Sequence, residues 1–441
     1  MKTPIYDFLK QYDEKGSVRL HMPASKGRIN IPYGFDITEI DGADFLFSPS
    51  GIIESSEQNA SQLFGTAATL YSTEGSSLCI KTMIALLKKQ GIDKVLAARN
   101  AHVSFLNACI LTDMQIEWLY PDGKLSSICT GEYSAKSIEK ALKKTGARAV
   151  FVTSPDYLGN ISDIKAISEV CKKHNAYLLV DNAHGAYLKF LMPDNHPITL
   201  GADMCCDSAH KTLPAMTGAA YLHISRQADE SFVENAKSVM SVFATTSPSY
   251  MILASLDFAN NIISEGIRRF NETALAVERL KEQLLKLGYK NISREPFKIT
   301  IDAVQSGIDS AELYKTLREK NIVCEYYDDA VLVMMFSVMN DEQDFSKTLA
   351  AFKDAFPRLG GNKALKKDFS LKELKSAMSV KEAFFAPSEE IDIENSVGRI
   401  CSATKTICPP CIPIICAGEV FDKSSIKILK RYGISRVNVV K

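Results

Sequence analysis

From about Ser50 to Tyr221, short apolar runs alternate with polar turns and with segments whose apolar residues recur three and four positions apart. These are the periods of buried strands and amphipathic helices. Leu78, Ile80, Met83, Ile84 and Leu87 form one helical stripe, opened by Glu74-Gly75-Ser76-Ser77 and stopped at Gly91. Strand-like runs follow at 94–97, 149–153 and 176–180, with a shorter one at 202–206, and Ile164, Ile167, Val170 and Cys171 mark a crossover helix ending near Asn175. Strands joined by such crossovers run the same way, so the pattern predicts an α/β unit with a mostly parallel sheet and a ligand site beyond the strands' carboxyl ends. Val277, Leu280, Leu284 and Leu287, ahead of Gly288, predict a long helix that closes this unit.

The pattern then changes. Residues 298–301 predict a strand, Asp309 and Glu312 a capping box for a helix carrying Ala311, Tyr314 and Leu317, and residues 322–326 and 330–336 two more strands. The charged stretch 358–375 reads as a linker and helix leading into a last compact piece. The expected division is an amino-terminal arm (1–36), a large α/β domain (37–290), a small α+β domain (291–360) and a carboxy-terminal piece (361–441).

Composition narrows the classes. The 441 residues are 46% hydrophobic, enough for real cores, which excludes a disordered or fibrous chain. Lysine plus arginine and aspartate plus glutamate both total 52, so no charge excess points to nucleic acid or an anionic membrane as partner. The 11 cysteines sit in a chain too long to need stapling, which points to thiols in a reducing compartment. The amino terminus has no continuous apolar stretch, so neither a signal peptide nor a membrane anchor is expected, and the location read from this is cytoplasmic.

Three segments place complementary chemistry at one sheet edge. In Val180-Asp181-Asn182-Ala183-His184-Gly185 an acid directly follows an apolar strand and can hold a cationic nitrogen in the crevice. In Asp207-Ser208-Ala209-His210-Lys211-Thr212-Leu213-Pro214 a lysine follows a strand, and desolvation with a nearby cation such as His210 would suit it to Schiff-base chemistry. Gly75-Ser76-Ser77 opens a helix and offers amides and hydroxyls to a phosphate. Taken singly, each has an ordinary structural reading: a turn or cap, a solvated lysine, an N-cap. Taken together they ask for pyridoxal phosphate, which has a basic pyridine nitrogen, an aldehyde and a phosphate. His102 follows the 94–97 strand and could stack on the pyridine, or be a plain core or surface histidine.

On these motifs the chain resembles the Orn/Lys/Arg decarboxylase family of fold type I pyridoxal-phosphate enzymes, in the short form without an amino-terminal wing domain. The resemblance runs through Thr3-Pro4, His21-Met22-Pro23, Lys26-Gly27, Asp36 to Asp44, Ala60 to Gly65 and the three segments above. It continues through Thr246-Ser247-Pro248-Ser249-Tyr250, Ala254 to Asp257 and Pro409-Pro410-x-Ile412-Pro413. It implies a transferase-like large domain with a mostly parallel sheet, a small α+β domain and a family-specific carboxy-terminal domain. It also implies that Lys211 carries the cofactor as a Schiff base, Asp181 pairs with the pyridine nitrogen and His102 stacks on the ring. Gly75, Ser76, Ser77 and Ser208 would hold the phosphate with His210 beside it, and His184 would lie near the departing carboxylate. The family's homodimer would let Ser247 reach the partner subunit's phosphate. The implied reaction is decarboxylation of arginine, lysine or ornithine, a polyamine-forming step.

Several positions depart from the family's pattern. Pro-Gly-His-Lys is Pro23-Ala24-Ser25-Lys26; Asp-Glu-Ala-His-Gly-Ala-His is Asp181-Asn182-Ala183-His184-Gly185-Ala186-Tyr187; Tyr-Pro-Pro-Gly is Cys408-Pro409-Pro410-Cys411. Phe45 and Phe47 stand where the family has an acid and a histidine. Acids and imidazoles are lost, while the cofactor residues remain. A basic substrate needs a carboxylate for its distal cation, and Asp44, Glu389, Glu390 and Glu419 are the candidates. Two alternatives stay open: the same fold acting on another amino acid or bond, and a cofactor-binding paralogue with little catalysis. Cys401, Cys408, Cys411 and Cys416 are read as buried or unligated thiols rather than a zinc site, so no metal is expected.

Overall fold

The computed structural model describes residues 8, 11–28, 33–125, 127–359, 369–404 and 412–441. Seven short runs form the central sheet because helices cover both of its faces, and successive residues therefore bury on opposite sides. In β4 (Ala149–Thr153), Phe151 enters a cluster with Leu87 and Phe105, while Val150 and Val152 enter another with Ile138, Ile164 and Ile167. The other strands are β1 (Ala68–Ser72), β2 (Lys94–Ala98), β3 (Gln115–Leu119), β5 (Tyr177–Asp181), β6 (Met204–Asp207) and β7 (Ala220–Ile224). The order is β1-β7-β6-β5-β4-β2-β3, with β7 antiparallel to both neighbours and every other pair parallel. The expected mostly parallel α/β architecture is observed.

Helix α1 (Gly75–Lys89) follows β1 and is stopped by Gly91 in the left-handed region at φ +70°. Helix α2 (Val103–Thr112) follows β2, and α3 (Ile164–Lys173) is the predicted crossover between β4 and β5. The predicted long helix is the second half of α4 (Tyr250–Lys286), which is interrupted at Gly266, where the backbone leaves helical angles. Among the described residues no helix is long and apolar enough to cross a membrane.

The run 322–326, read as one strand, is two. Ile322–Cys324 pairs in parallel with Val18–Leu20 of the amino-terminal arm, whereas Tyr326–Tyr327 joins the antiparallel sheet of Lys290–Asn291, Lys298–Asp302 and Val331–Met335. Asp309 caps the predicted helix, accepting from the amides of Ala311 and Glu312. In the carboxy-terminal piece, Ser388–Asp392 pairs with Arg436–Val440, and Val331 and Val333 share a core with Ile412, Leu429 and Val439.

The arm also reaches the large domain: the Ala24 amide donates to the His210 carbonyl. Next to it, Lys26 is buried and donates to the carbonyls of His21 and Met335 at 2.7 and 3.0 Å. Burial holds its ammonium down at about 7. A depressed folded-state pKa gives stability that is present above the unfolded value and is lost as pH falls through the folded one. Between pH 10 and 7 the wild type should therefore lose stability relative to Lys26→Met, by up to roughly 1.4 kcal/mol per pH unit. Urea unfolding of both proteins across that range checks this, and a difference independent of pH contradicts it.

Candidate active site

The carboxyl ends of β2, β4, β5 and β6 and the amino termini of α1 and α2 surround a cavity of about 220 Å3. Gly75, Ser76, Ser77, His102, Asp181, His184, Ser208, His210 and Lys211 all line it. Ser247 does not: it is exposed, and its amide donates to Thr245 Oγ1. Thr3, Pro4 and the Cys408–Cys411 motif lie outside the described residues, while Cys401 and Cys416 are buried.

Each group is placed by local structure. Gly75 starts α1 at φ +70°, and the amides of the first turn have no intrahelical acceptor. The two hydroxyls there are tied sideways, Ser208 Oγ to Ser76 Oγ at 2.8 Å and Ser77 Oγ to Ser104 Oγ at 2.7 Å. His102 caps α2, its Nδ1 accepting from the Ser104 amide at 3.2 Å, and burial lowers its pKa. At the end of β5, Asp181 accepts from the Ala183 amide at 3.2 Å and the Cys206 thiol at 3.6 Å. The turn that follows needs Gly185, since a Cβ there would meet Asn182 Oδ1 at 2.1 Å.

Lys211 lies in the helical turn Ala209–Thr212 with its Nζ 3.2 Å from His184 Nε2. Burial pushes the Lys211 amine below its ordinary pKa; Asp181 and Glu325 oppose this and Lys298 adds to it. The sequence suggested His210 as the helping cation. Burial instead holds His210 at about 4, so it is uncharged at neutral pH and its Nδ1 lies 3.0 Å from the Ala219 carbonyl. The cation acting on Lys211 is Lys298, from the small domain.

Motif reading missed Asn100, Thr153, Asp156, Tyr157 and Lys298. Asn100 Oδ1 and Thr153 Oγ1 are buried without a hydrogen-bond partner, although both residues line the cavity. These two atoms, the first-turn amides, a carboxylate without a cationic donor and an amine of lowered basicity form a donor and acceptor set that fits pyridoxal phosphate.

The four acids proposed for a substrate cation are engaged elsewhere. Asp44 accepts from the amides of Phe45, Ser50, Gly51 and Ile53. Glu389 pairs with Arg399 and Glu390 with Arg436. Glu419 forms a buried bidentate pair with Arg99 at 2.6 and 2.7 Å.

Behind the cavity lies a further buried group, His196, Cys205, Asp207 and His223, whose ligand-type atoms are within 4.8 Å of one another. None of these lines the cavity. Asp207 Oδ2 accepts from Nε2 of both histidines at 3.0 Å, and Oδ1 accepts from Asn182 Nδ2 at 2.6 Å. The family pattern has an acid at 182; here Asn182 is instead a donor to Asp207. The Asp207 donor set was not legible in sequence because His196, Asp207 and His223 lie on separate loop and strand segments that only the folded sheet brings together.

A mostly parallel sheet with a phosphate-type helix start, an acid after one strand and a lysine after the next defines the class: fold type I pyridoxal-phosphate enzymes. Residues 3–295 match the model of the family described as "Orn/Lys/Arg decarboxylase, major domain", and the chain belongs to that family. It is 26% identical to an arginine decarboxylase of Bacillus anthracis, across 98% of this chain and 93% of that one. It is 27% identical to an arginine decarboxylase of Bacillus subtilis strain 168, across 97% and 93%. The fold is similar to that of lysine decarboxylase A from Pseudomonas aeruginosa, with a TM-score of 0.77 at 17% identity, covering 96% of this chain and 81% of that one.

Proposed function

We propose that the protein is a pyridoxal-phosphate-dependent amino-acid decarboxylase that acts on a basic amino acid as a cytoplasmic homodimer. The observation that carries this is the convergence of Lys211, Asp181, His102 and the Gly75-Ser76-Ser77 helix start on one cavity. The family and the arginine decarboxylases it resembles support it. The bound cofactor supplies an electron sink for the bonding pair released when carbon dioxide leaves.

The chain's own residues supply the rest. The first-turn amides of α1 with Ser76, Ser77 and Ser208 would hold the phosphate, and Asp181 would keep the pyridine nitrogen protonated. His102 would lie against the ring, Lys211 would take the aldehyde, and Lys211 or His184 would return a proton to the substrate's α-carbon. Ser247, exposed on its own subunit, would reach the partner subunit's phosphate in the homodimer.

For the distal cation the structure offers one acid that motif reading did not name. Glu325 Oε1 accepts from Tyr157 OH at 3.0 Å, Tyr157 lines the cavity, and the Glu325 charge acts on Lys211. Replacing Glu325 by glutamine should raise KM for a basic substrate about tenfold or more, with a smaller change in kcat. Steady-state kinetics checks this, and an unchanged KM assigns the cation elsewhere. A second reading has one observation in its favour. The acids lining the cavity are Asp181 and Asp156, and Asp156 already accepts from Thr130 Oγ1 and the amides of Gly131, Leu158 and Asn160. An uncharged side chain on the substrate would suit such a cavity.

The test is an absorbance spectrum of the protein with pyridoxal phosphate beside Lys211→Ala, followed by amine release from a panel of amino acids. A visible band lost in the variant, with amine formed from arginine, lysine or ornithine, is expected. No band, or an unchanged band in the variant, overturns the cofactor assignment. A band with turnover only of uncharged substrates favours the second reading.

A further inference from the structure

His184 stands between two lysines, Nε2 being 3.2 Å from Lys211 Nζ and Nδ1 3.3 Å from Lys298 Nζ. Lys298 starts the strand Lys298–Asp302 of the small domain, and its side chain is completely buried. It forms an ion pair with Glu295 at 2.7 Å and donates to the Asp156 carbonyl at 3.3 Å. Tyr187, where the family pattern has histidine, donates to Glu295 Oε1 at 3.3 Å and lies in contact with Phe297, the rings parallel at 4.0 Å. A fully buried ion pair is seldom the most stable filling of a core. Such a pair points to a role beyond stability.

The proton inventory supplies one. An amine paired with a carboxylate, and donating to a carbonyl that can only accept, is an ammonium donor. His184 Nδ1 must then accept. A neutral imidazole that accepts at Nδ1 carries its proton on Nε2, and that N–H faces Lys211. We propose that the Lys298–Glu295 pair fixes His184 as its Nε2–H tautomer, so that Lys211 meets a donor and is held as the free amine. Lys298 is thus a positioning residue acting through His184. The importance of the free amine rests on the cofactor reading above, because only an amine with its lone pair attacks an aldehyde.

The surrounding charges agree. Burial holds His184 well below its ordinary pKa and the Lys298 ammonium adds to this, which disfavours the doubly protonated imidazole. Around Lys211, burial with Lys298 favours the free amine, and Asp181 and Glu325 oppose them. Tyr157 packs edge-on against the His184 ring at 5.6 Å and restricts its rotation. Without the Lys298 donor, His184 can move its proton to Nδ1 and accept from a protonated Lys211, which leaves the lysine unreactive.

The experiment uses the full-length, cofactor-stripped protein labelled with 15N in its histidines, with His184 assigned by comparison with His184→Gln. Long-range proton–nitrogen correlation spectra should show the Nε2–H tautomer in the wild type, a result that needs no variant. In Lys298→Met/Glu295→Gln, which leaves neither partner as an unpaired buried charge, the Nδ1–H form should appear. In parallel, reductive methylation of Lys211 with formaldehyde and cyanoborohydride, followed by peptide mass spectrometry, should have its pH midpoint raised by about one unit. That is about a tenfold slower reaction at neutral pH. An Nδ1–H tautomer in the wild type, or the same tautomer and labelling profile in a folded double variant, overturns the proposal. A protein that shows the Nε2–H tautomer but binds no pyridoxal phosphate would refute the cofactor reading instead.

Discussion

Under the proposed function, Asp181→Asn should lower amine release from the substrate by about 10²- to 10⁴-fold, the range expected for losing a group that controls a proton in the transition state. The carboxylate is buried at the end of β5 and has the Ala183 amide and the Cys206 thiol as hydrogen-bond donors. A carboxylate so placed raises the basicity of a nitrogen it touches, which keeps a pyridine protonated and able to withdraw electrons. Asparagine has nearly the same size and can still accept from Ala183. Its amide would present a donor, however, and a pyridine nitrogen can only accept from a donor when unprotonated. Cofactor affinity should therefore fall much less than kcat. Parallel measurement of kcat and of cofactor affinity separates the two. A variant within a few-fold of wild-type kcat would remove Asp181 from the role assigned to it.

Arg99→Met should destabilise the fold by about 3–5 kcal/mol, the usual consequence of stripping one partner from a buried ion pair. Arg99 is fully buried directly after β2, one residue before Asn100 of the cavity. Its guanidinium binds both Glu419 oxygens, donates through Nε to the Pro413 carbonyl at 3.0 Å, and lies 4.7 and 5.2 Å from the Trp118 and Tyr120 ring centres. Glu419 Oε2 also accepts from the Cys416 amide at 2.7 Å. The pair therefore clamps the carboxy-terminal piece onto the large domain beside the cavity, which Ile412 helps to line. Removing Arg99 leaves a buried carboxylate uncompensated; removing both charges in Arg99→Met/Glu419→Gln should recover most of the loss. Urea unfolding of the single and double variants measures the coupling. A single-variant loss under about 1 kcal/mol would mean the clamp is not closed in solution.

Much of the architecture was legible in the chain because strand and helix periods are local. Phe151 and Val152 face opposite sides of a strand whatever lies around them, and Gly91 ends a helix without reference to the rest of the fold. The split of 322–326 into two strands was not legible, because pairing with Val18–Leu20 depends on where the arm comes to lie. The cavity residues were legible for a different reason: Asp181, Lys211 and Gly75 each sit at a strand end or helix start, so their motifs carry their geometry with them. Asn100 and Lys298 carry no such signal, since an asparagine in a turn and a lysine opening a strand are ordinary.

Charge shows most clearly where sequence stops. The chain alone determined that acids and bases balance and that family acids and imidazoles are replaced, as at Asn182 and Tyr187. Only the tertiary structure decided which of the remaining charges are engaged. It gave Glu419 to Arg99, Glu295 to Lys298 and Asp207 to two histidines, and it gave Lys298 rather than His210 the part of the cation acting on Lys211. The physical reason is desolvation. A buried charge must find a partner within a few ångströms, and whether the residues are three apart, as Glu295 and Lys298, or 320 apart, as Arg99 and Glu419, that desolvation is set only when the sheet, the small domain and the carboxy-terminal piece pack together.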